Sequence, residues 1–188
     1  ELITKLKAFG VPFQFVPQEK LDRITRKNHQ GCIAFISPVE FQNYEEIVHK
    51  LFESGKTPLI LILDQITDIR NFGAICRTAE CAGTDAVIIP YHGAAAINED
   101  AVKTSSGALM RIPICKSFDL RKSVLKLKQY GLRIVAASEK AKTNYFENDF
   151  TIPTAIVLGS EGKGIDKEIL DVCDDKLRIP LQGEIDSL

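Results

Sequence analysis

The sequence lacks an excess of charge of either sign: it has 24 lysines and arginines and 25 aspartates and glutamates, which gives a formal net charge of −1. This balance excludes a protein that coats a polyanion through bulk positive charge, although a local basic surface is compatible with a neutral total. A long hydrophobic run is also missing, because the longest, residues 58–63, is far shorter than the roughly 20 residues of a membrane-spanning helix. We therefore expect no membrane partner.

Paired cysteines and clustered metal ligands are also missing. The five cysteines are odd in number and lie in apolar surroundings, which is typical of reduced thiols in a cytosolic protein. Cys76 and Cys81 are five positions apart, which fits neither a redox pair nor half of a zinc site, and the three histidines do not cluster with them. We expect a cytoplasmic protein without a metal. No signal peptide is visible, but the first residue is Glu1 rather than Met, so we expect further residues upstream.

The composition, 45% hydrophobic and 26% charged over 188 residues, is that of one ordinary globular domain with a small appendage. Short apolar runs are typical of strands buried on both faces of a parallel sheet; they span residues 31–36, 59–63, 86–89, 132–136 and 155–158. Residues 41–52 and 120–130 have helical spacing. Strands that alternate with helices predict an α/β fold, an open parallel sheet with helices on both faces.

The first part of the chain differs in character from the rest. Residues 11–17 are bracketed by prolines, which favours a short edge strand or a linker, and residues 20–30 are polar and basic. We interpret residues 1–37 as the end of a small separate domain with its linker, and residues 38–188 as the main domain.

Three segments place polar residues and glycines where parallel strands should end, the edge at which ligands bind in open α/β sheets. In the first, residues 63–79, a strand leads into a helix that begins near Asn71, with Asn71 or Asp68 as its cap and Arg77 two turns further on. Taken alone, this segment favours a capping asparagine and a solvated arginine. However, the residues around Arg77 are small, so its helix can approach a ligand closely.

The second segment, residues 156–165, has three glycines after a buried strand. Glycines let the backbone adopt positive φ and approach a ligand closely. Their spacing, G-x-x-G-x-G, reverses the dinucleotide fingerprint, and Lys163 precedes a glycine instead of the Ser or Thr of a phosphate-binding loop. An ordinary tight loop remains the alternative. In the third segment, residues 177–188, a strand ends at Pro180, and Ser187 resembles the N-cap of a helix that continues beyond the chain.

The three segments contain N-x-G-A-I-x-R-T-A at 71–79, L-G-x-E-G-x-G at 158–164, and I-P-hydrophobic-x-G followed by S-L at 179–188. In this order they resemble the signature motifs of the SpoU (TrmH-like) branch of the SPOUT RNA methyltransferases. The resemblance covers about residues 57–188 and departs from the pattern where the chain stops before the expected Asn and its helix. Residues 1–37 resemble the end and linker of the L30-like RNA-binding domain in the family's 23S rRNA guanosine methyltransferases, a small α/β domain.

The resemblance implies transfer of a methyl group from S-adenosylmethionine to a ribose 2′-hydroxyl, most simply of a guanosine in 23S rRNA. Arg77 would activate the hydroxyl, and Asn71 and Glu161 would orient Arg77 or the ribose. Because arginine is normally protonated, we favour stabilisation of the developing alkoxide; base catalysis would require a depressed pKa. No metal is needed, because a sulfonium is already an activated leaving group.

The resemblance further implies a C-terminal trefoil knot and a homodimer whose active sites take residues from both subunits. The expected cofactor-binding residues are Leu158, Gly159, Ile179, Ser187, Leu188 and Ser138, of which Ser138 is equally well explained as a strand-end serine. Residues 105–107 are a weaker candidate for the same site. The expected RNA-binding residues are Arg23, Arg26 and Lys27.

Other functions remain open at this point. A tRNA guanosine 2′-O-methyltransferase is the neighbouring enzyme class, and a noncatalytic RNA-binding or ribosome-assembly factor of the same fold is a different class. The reversed glycine spacing counts against a dinucleotide oxidoreductase. Residues 1–30 carry a charge of +3 and the remainder −4, which places positive charge in the appendage expected to contact RNA. A second basic cluster, for which a solvated helix face is the alternative, comprises Lys116, Arg121, Lys122, Lys126 and Lys128.

Overall fold

A computed structural model describes residues 2–35 and 37–181. The chain divides into two compact units, an N-terminal unit of residues 1–36 and a main unit of residues 37–188. None of the described helices is long and apolar enough to cross a membrane.

The N-terminal unit contains the helices α1 (Leu2–Ala8) and α2 (Gln18–Ile24), and none of its residues from 2 to 35 is buried or lies in a strand. The buried strand predicted for residues 31–36 is therefore wrong over 31–35, and Ile36 lies outside the described residues. An apolar run forms a strand only where a neighbouring strand can pair with its backbone groups. Residues 11–17 also form no strand, which leaves the linker interpretation. The predicted α/β character of this domain stays a prediction.

The main unit alternates strands and helices, as expected. Its elements are β1 (Phe41–Gln42), α3 (Tyr44–Glu53), β2 (Leu59–Leu63), α4 (Ile69–Cys81), β3 (Ala86–Pro90), α5 (Glu99–Thr104), β4 (Ile114–Ser117), α6 (Leu120–Gln129), β5 (Arg133–Ala137), β6 (Thr143–Asn144), β7 (Thr154–Leu158), α7 (Lys167–Leu170) and β8 (Asp175–Arg178), with 3₁₀ turns at Ala108–Met110 and Tyr145–Glu147.

The strands form one sheet in the order β1-β4-β3-β2-β7-β5-β8-β6, and every pair of neighbours is parallel. The two faces of β2 are both buried: Ile60 and Ile62 pack in a cluster that includes Val124 of α6, whereas Leu61 packs in a second cluster with Phe72 of α4. This confirms the predicted α/β fold with helices on both faces.

The helix predicted for residues 41–52 begins at Tyr44 instead. The side chain of Asn43 accepts a hydrogen bond from the Glu45 backbone N–H and caps the helix there. Phe41 then pairs with Ile114 of β4 as a short edge strand.

The knot is expected to involve the last segment of the chain; residues 182–188 lie outside the described residues, so the knot stays a prediction.

Candidate active site

The predicted cofactor-binding residues lie at the carboxyl edge of the sheet, on strands that neighbour one another. Leu158 ends β7 and Gly159 follows it, Ser138 follows β5, and Ile179 follows β8. The Ser138 backbone N–H donates to the Leu177 carbonyl of β8 at 2.8 Å, which ties β5 to β8 at this edge. The sheet order β7-β5-β8 thus brings Leu158, Gly159, Ser138 and Ile179 to one edge. Ser187 and Leu188, also predicted here, lie outside the described residues.

The glycines after β7 have distinct structural reasons. The loop folds back on itself, with mutual backbone hydrogen bonds between Ser160 and Gly164 of 3.1 and 2.8 Å. A Cβ at position 159 would overlap the Gly164 carbonyl group, and Gly164 itself has a φ of +71°. Gly162, in contrast, has open space around it. A side chain at position 159 is therefore incompatible with this loop, whereas one at 162 is tolerated.

A buried carboxylate fixes the far end of the same loop. Asp64 follows β2, is only 5% exposed, and accepts a hydrogen bond from the Asp166 backbone N–H at 2.7 Å. Its own N–H donates to the Leu158 carbonyl at 2.8 Å. Burial raises the pKa of Asp64, although the hydrogen bond from the Asp166 backbone opposes the shift. Sequence reasoning gave Asp64 no role; the signal was an acidic residue directly after a wholly apolar strand.

The first and second motifs meet through a side-chain contact. Asp68 is the N-cap of α4, accepting from the backbone N–H groups of Arg70 at 2.8 Å and Asn71 at 2.9 Å. Of the two predicted caps, Asp68 is therefore correct, and the side-chain amide of Asn71 is not used in capping. The Asn71 amide instead donates a hydrogen bond to Glu161 Oε2 at 3.2 Å, across 90 positions of sequence. Two of the three predicted catalytic residues are thus in contact beside the glycine loop.

The third, Arg77, lies elsewhere on α4. Six residues separate it from Asn71, which is a rise of about 9 Å along a helix. Its side chain is exposed, and within the described part of the chain it forms no hydrogen bond or ion pair. Arg77 therefore presents its cation on the outer surface of α4, and no described contact joins it to the glycine loop.

Two packing details concern α4 and α5. A Cβ at Gly73 would lie 2.7 Å from Thr104 Cβ, so this glycine allows the two helices to approach closely.

Ser105 is fully buried, donating its hydroxyl to the Val102 carbonyl at 2.9 Å and accepting from the Leu109 N–H at 3.3 Å. Ser105 therefore stabilises the turn after α5, and a role of residues 105–107 at the cofactor site stays a prediction.

In the N-terminal unit, Arg23, Arg26 and Lys27 are all exposed, and Arg26 and Lys27 border an open depression. His29 Nδ1 accepts a hydrogen bond from the Gly31 N–H, so its Nε2 donates to Asp22 at 2.9 Å. These bonds hold the loop that follows α2, and the basic side chains of α2 and this loop are exposed.

Residues 2–35 and 37–181 contain no group of three His, Cys, Asp or Glu side chains placed to hold a metal ion. The five cysteines are free thiols, as predicted. Burial raises the pKa of Cys76 and Cys115 to about 12, so both stay protonated at neutral pH.

The carboxyl edge of β7, β5 and β8 has apolar side chains that a nucleoside could contact. Leu158 is half-buried and Ile179 is 49% exposed, so both can supply apolar contact. Gly159 lets the loop close on Gly164 directly beside these residues. Ser160 Oγ is buried in the same loop and has no hydrogen-bond partner within the described residues. An adenosine moiety requires this combination of apolar walls and a few polar groups.

Comparison with known proteins shows the family of this chain. Residues 58–188 match the SpoU rRNA methylase family, and residues 1–42 match the family described as RNA 2′-O ribose methyltransferase substrate binding. A Bacillus subtilis protein assigned to the TrmH family of tRNA/rRNA methyltransferases is 31% identical over the whole chain, which spans 76% of that protein.

Solved structures give the same result. The SpoU methyltransferase AviRb from Streptomyces viridochromogenes, in complex with AdoMet, has a TM-score of 0.63 and 27% identity, over 70% of this chain and 52% of its own. The A. aeolicus TrmH/SpoU tRNA modifying enzyme has a TM-score of 0.62 and 30% identity, over 77% of this chain and 75% of its own. The chain thus spans only about half of the AviRb structure. It belongs to the SpoU (TrmH) family of RNA 2′-O-ribose methyltransferases, whose cofactor is S-adenosylmethionine.

Proposed function

We propose that this protein methylates the ribose 2′-hydroxyl of a guanosine in 23S rRNA in the cytoplasm. The observation that carries the proposal is the Asn71–Glu161 hydrogen bond of 3.2 Å, which joins the first two family motifs beside the Gly159 loop. The match of residues 1–42 to the family described as RNA 2′-O ribose methyltransferase substrate binding supports RNA as the substrate.

The cofactor would lie at the carboxyl edge of β7, β5 and β8. S-adenosylmethionine, when bound, supplies a methyl group already activated by its sulfonium. The Gly159 backbone would approach the adenosine, Leu158 and Ile179 would provide apolar contact, and Ser138 would close one side. Ser187 and Leu188 complete the proposed set from the third motif.

Arg77 would stabilise the negative charge that develops on the ribose oxygen. A guanidinium is normally fully protonated, so electrostatic stabilisation is favoured over base catalysis. Asn71 and Glu161 would act as positioning residues for the ribose. Since Arg77 lies on the outer surface of α4, we include in the proposal a homodimer in which a second subunit completes the site.

The test is transfer of labelled methyl from S-adenosylmethionine to total RNA, followed by mapping of the product. Label on the ribose of a 23S rRNA guanosine is the expected result, and label on a base nitrogen or carbon would contradict the chemistry. Arg77→Ala should lower kcat by roughly 10²–10³-fold, the usual cost of losing an oxyanion-stabilising group, with unchanged cofactor affinity. Arg111→Ala, at another exposed arginine, is the matched control and should keep full activity.

A tRNA substrate is the second candidate, favoured by the likeness to the A. aeolicus tRNA modifying enzyme. The same assay decides between them when rRNA and tRNA fractions are supplied separately. Binding of RNA without any methyl transfer by the wild-type chain would instead indicate a noncatalytic RNA-binding or assembly factor.

A further inference from the structure

Aromatic rings, most of them exposed, cluster around Lys116 near the carboxyl ends of β3 and β4. The ring of Tyr91 stacks on that of Phe118, with centroids 4.3 Å apart and an interplanar angle of 17°. Lys116 Nζ lies 4.0 Å from the centroid of Phe41 and 5.1 Å from that of Tyr91. His92 packs edge-on to Tyr91 at 5.0 Å. We call these five residues the aromatic patch.

The patch is exposed although its backbone is well fixed. Phe118 is 84% exposed and Tyr91 43%. The Tyr91 N–H donates to the Ser117 carbonyl at 2.7 Å, and the Ser117 hydroxyl accepts from the Asp119 N–H at 3.1 Å. Asp119 in turn caps α6. Phe118 therefore stands between a strand end and a helix cap, where a large ring facing water contributes little to folding and is typical of an interaction site.

Its position relates the patch to the proposed active site. Tyr91 and Phe118 follow β3 and β4 at their carboxyl ends, the same edge at which Gly159 follows β7. In the sheet order β4-β3-β2-β7, three strand spacings separate β4 from β7, about 14 Å along the sheet. That distance suits a nucleotide near, but not identical to, the one being methylated.

The charges around the patch narrow the kind of partner. Of the predicted second basic cluster, Lys126 and Lys128 pair with the acidic residues Glu45 and Asp174. Lys122 pairs loosely with Asp119 at 3.4 Å. Lys116 instead lies against the rings, and Arg121 forms no hydrogen bond or ion pair within the described ranges. Positive charge beside exposed rings is complementary to a phosphate backbone with unstacked bases.

We propose that the aromatic patch stacks an unpaired base of the RNA substrate that flanks the methylated nucleotide. The proposal rests on the proposed function for the identity of the RNA. The outer face of Phe118 receives the base, Tyr91 supports the ring from behind, and Lys116 lies where it can meet an adjacent phosphate. Stacking of this kind contributes without regard to base identity, so the patch adds affinity and register rather than sequence choice.

The chain has no tryptophan, so Phe118→Trp introduces a single fluorescent reporter at the patch. Added single-stranded oligoadenylate should quench this fluorescence, because a stacked base contacts the indole directly. Met110→Trp, at an exposed residue before β4 and hence beyond the opposite edge of the sheet, should not be quenched. Equal quenching in both variants, or none at Phe118→Trp, would overturn the proposal.

A series of variants separates stacking from general apolar contact. Phe118→Ala should weaken binding of oligoadenylate by roughly 5- to 100-fold, the range for removal of one base–aromatic stack. Phe118→Tyr should restore the affinity and Phe118→Leu should not. If Leu binds RNA as well as Phe, or if Phe118→Ala changes only the oligomeric mass, the surface contacts protein instead of a base and the proposal is wrong.

Failure of this proposal is distinguishable from failure of the proposed function. Methyl transfer by the wild-type protein, with no effect of Phe118→Ala on the KM for RNA, would contradict the role of the aromatic patch and support the proposed function. Base-dependent quenching at Phe118→Trp without methyl transfer to RNA would support the role of the patch and contradict the proposed function. Cofactor affinity of Phe118→Ala should equal that of the wild type in either case.

Discussion

At the scale of single residues, Gly159 and Gly162 allow a test of why the loop after β7 contains glycines. The test asks whether the loop needs the close contact that Gly159 permits or only a flexible backbone. Gly159→Ala places a methyl group on the Gly164 carbonyl, so the loop must open. We expect S-adenosylmethionine to bind at least roughly tenfold more weakly, a loss of about 1.4 kcal/mol. Gly162→Ala meets nothing within 4 Å and should bind normally. Calorimetric titration of both variants measures this, and equal losses would show that the loop is merely flexible.

The raised pKa of Asp64 predicts that its contribution to stability decreases as the pH rises through the acid range. Burial raises its pKa in the folded state above the ordinary 3.8, so the unfolded chain releases this proton first as pH increases. Between 3.8 and the raised folded value, the contribution of Asp64 to the free energy of unfolding therefore falls. Asp64→Asn removes this dependence, so its stability relative to wild type should increase as the pH rises above 3.8, as measured by urea unfolding.

Asp149 supplies the control with the opposite sign. Its carboxylate accepts hydrogen bonds from the Thr151 hydroxyl and backbone N–H, which lower its pKa. A lowered folded pKa adds stability that is present above the ordinary value and is lost as pH falls. The stability of Asp149→Asn relative to wild type should therefore decrease as pH rises through the acid range. Parallel trends in the two variants would contradict the assigned causes.

At the scale of elements, the close approach of α4 to α5 depends on Gly73. A methyl group there would lie 2.7 Å from Thr104 Cβ, and overpacking of this kind costs about 1–3 kcal/mol. That exceeds the roughly 0.5–1 kcal/mol gained when alanine replaces a helical glycine. Gly73→Ala should thus lower the free energy of unfolding, whereas Thr78→Ala, at an exposed position of α4, should stay within about 0.5 kcal/mol of wild type.

How much of this could be read from the sequence depended on the kind of signal. β2, β3, β5 and β7 were predicted because strands buried on both faces form continuous apolar runs. The same signal failed at residues 31–35, where no strand pairs with the run. Asn71 and Asp68 were equivalent as caps in sequence, and only the helix start at Ile69 decides between them. The contact of Asn71 with Glu161 spans 90 positions, so no local pattern could reveal it.

At the scale of the whole molecule, stability and positive charge are segregated. Both core clusters lie within the main unit, whereas residues 2–35 contain no buried residue. The charge of +3 on residues 1–30 belongs to the N-terminal unit, and the remaining −4 to the rest of the chain. Folding and cofactor binding are therefore expected to depend on the main unit, and the salt-dependent part of RNA binding on the N-terminal unit.

This division is tested by a variant that begins at Ser37. It should unfold at nearly the same urea concentration as the whole chain and bind S-adenosylmethionine equally well, because every described core residue is retained. Its affinity for RNA should fall, and the slope of log K against log salt should become shallower by about 0.7 for each phosphate of single-stranded RNA that the protein no longer neutralises. Reversal of Arg26 and Lys27 to glutamate in the whole chain should reproduce the shallower slope without affecting cofactor affinity. An unchanged slope in both proteins would place the RNA-binding surface on the main unit, whose exposed cations include Arg77 and Arg121.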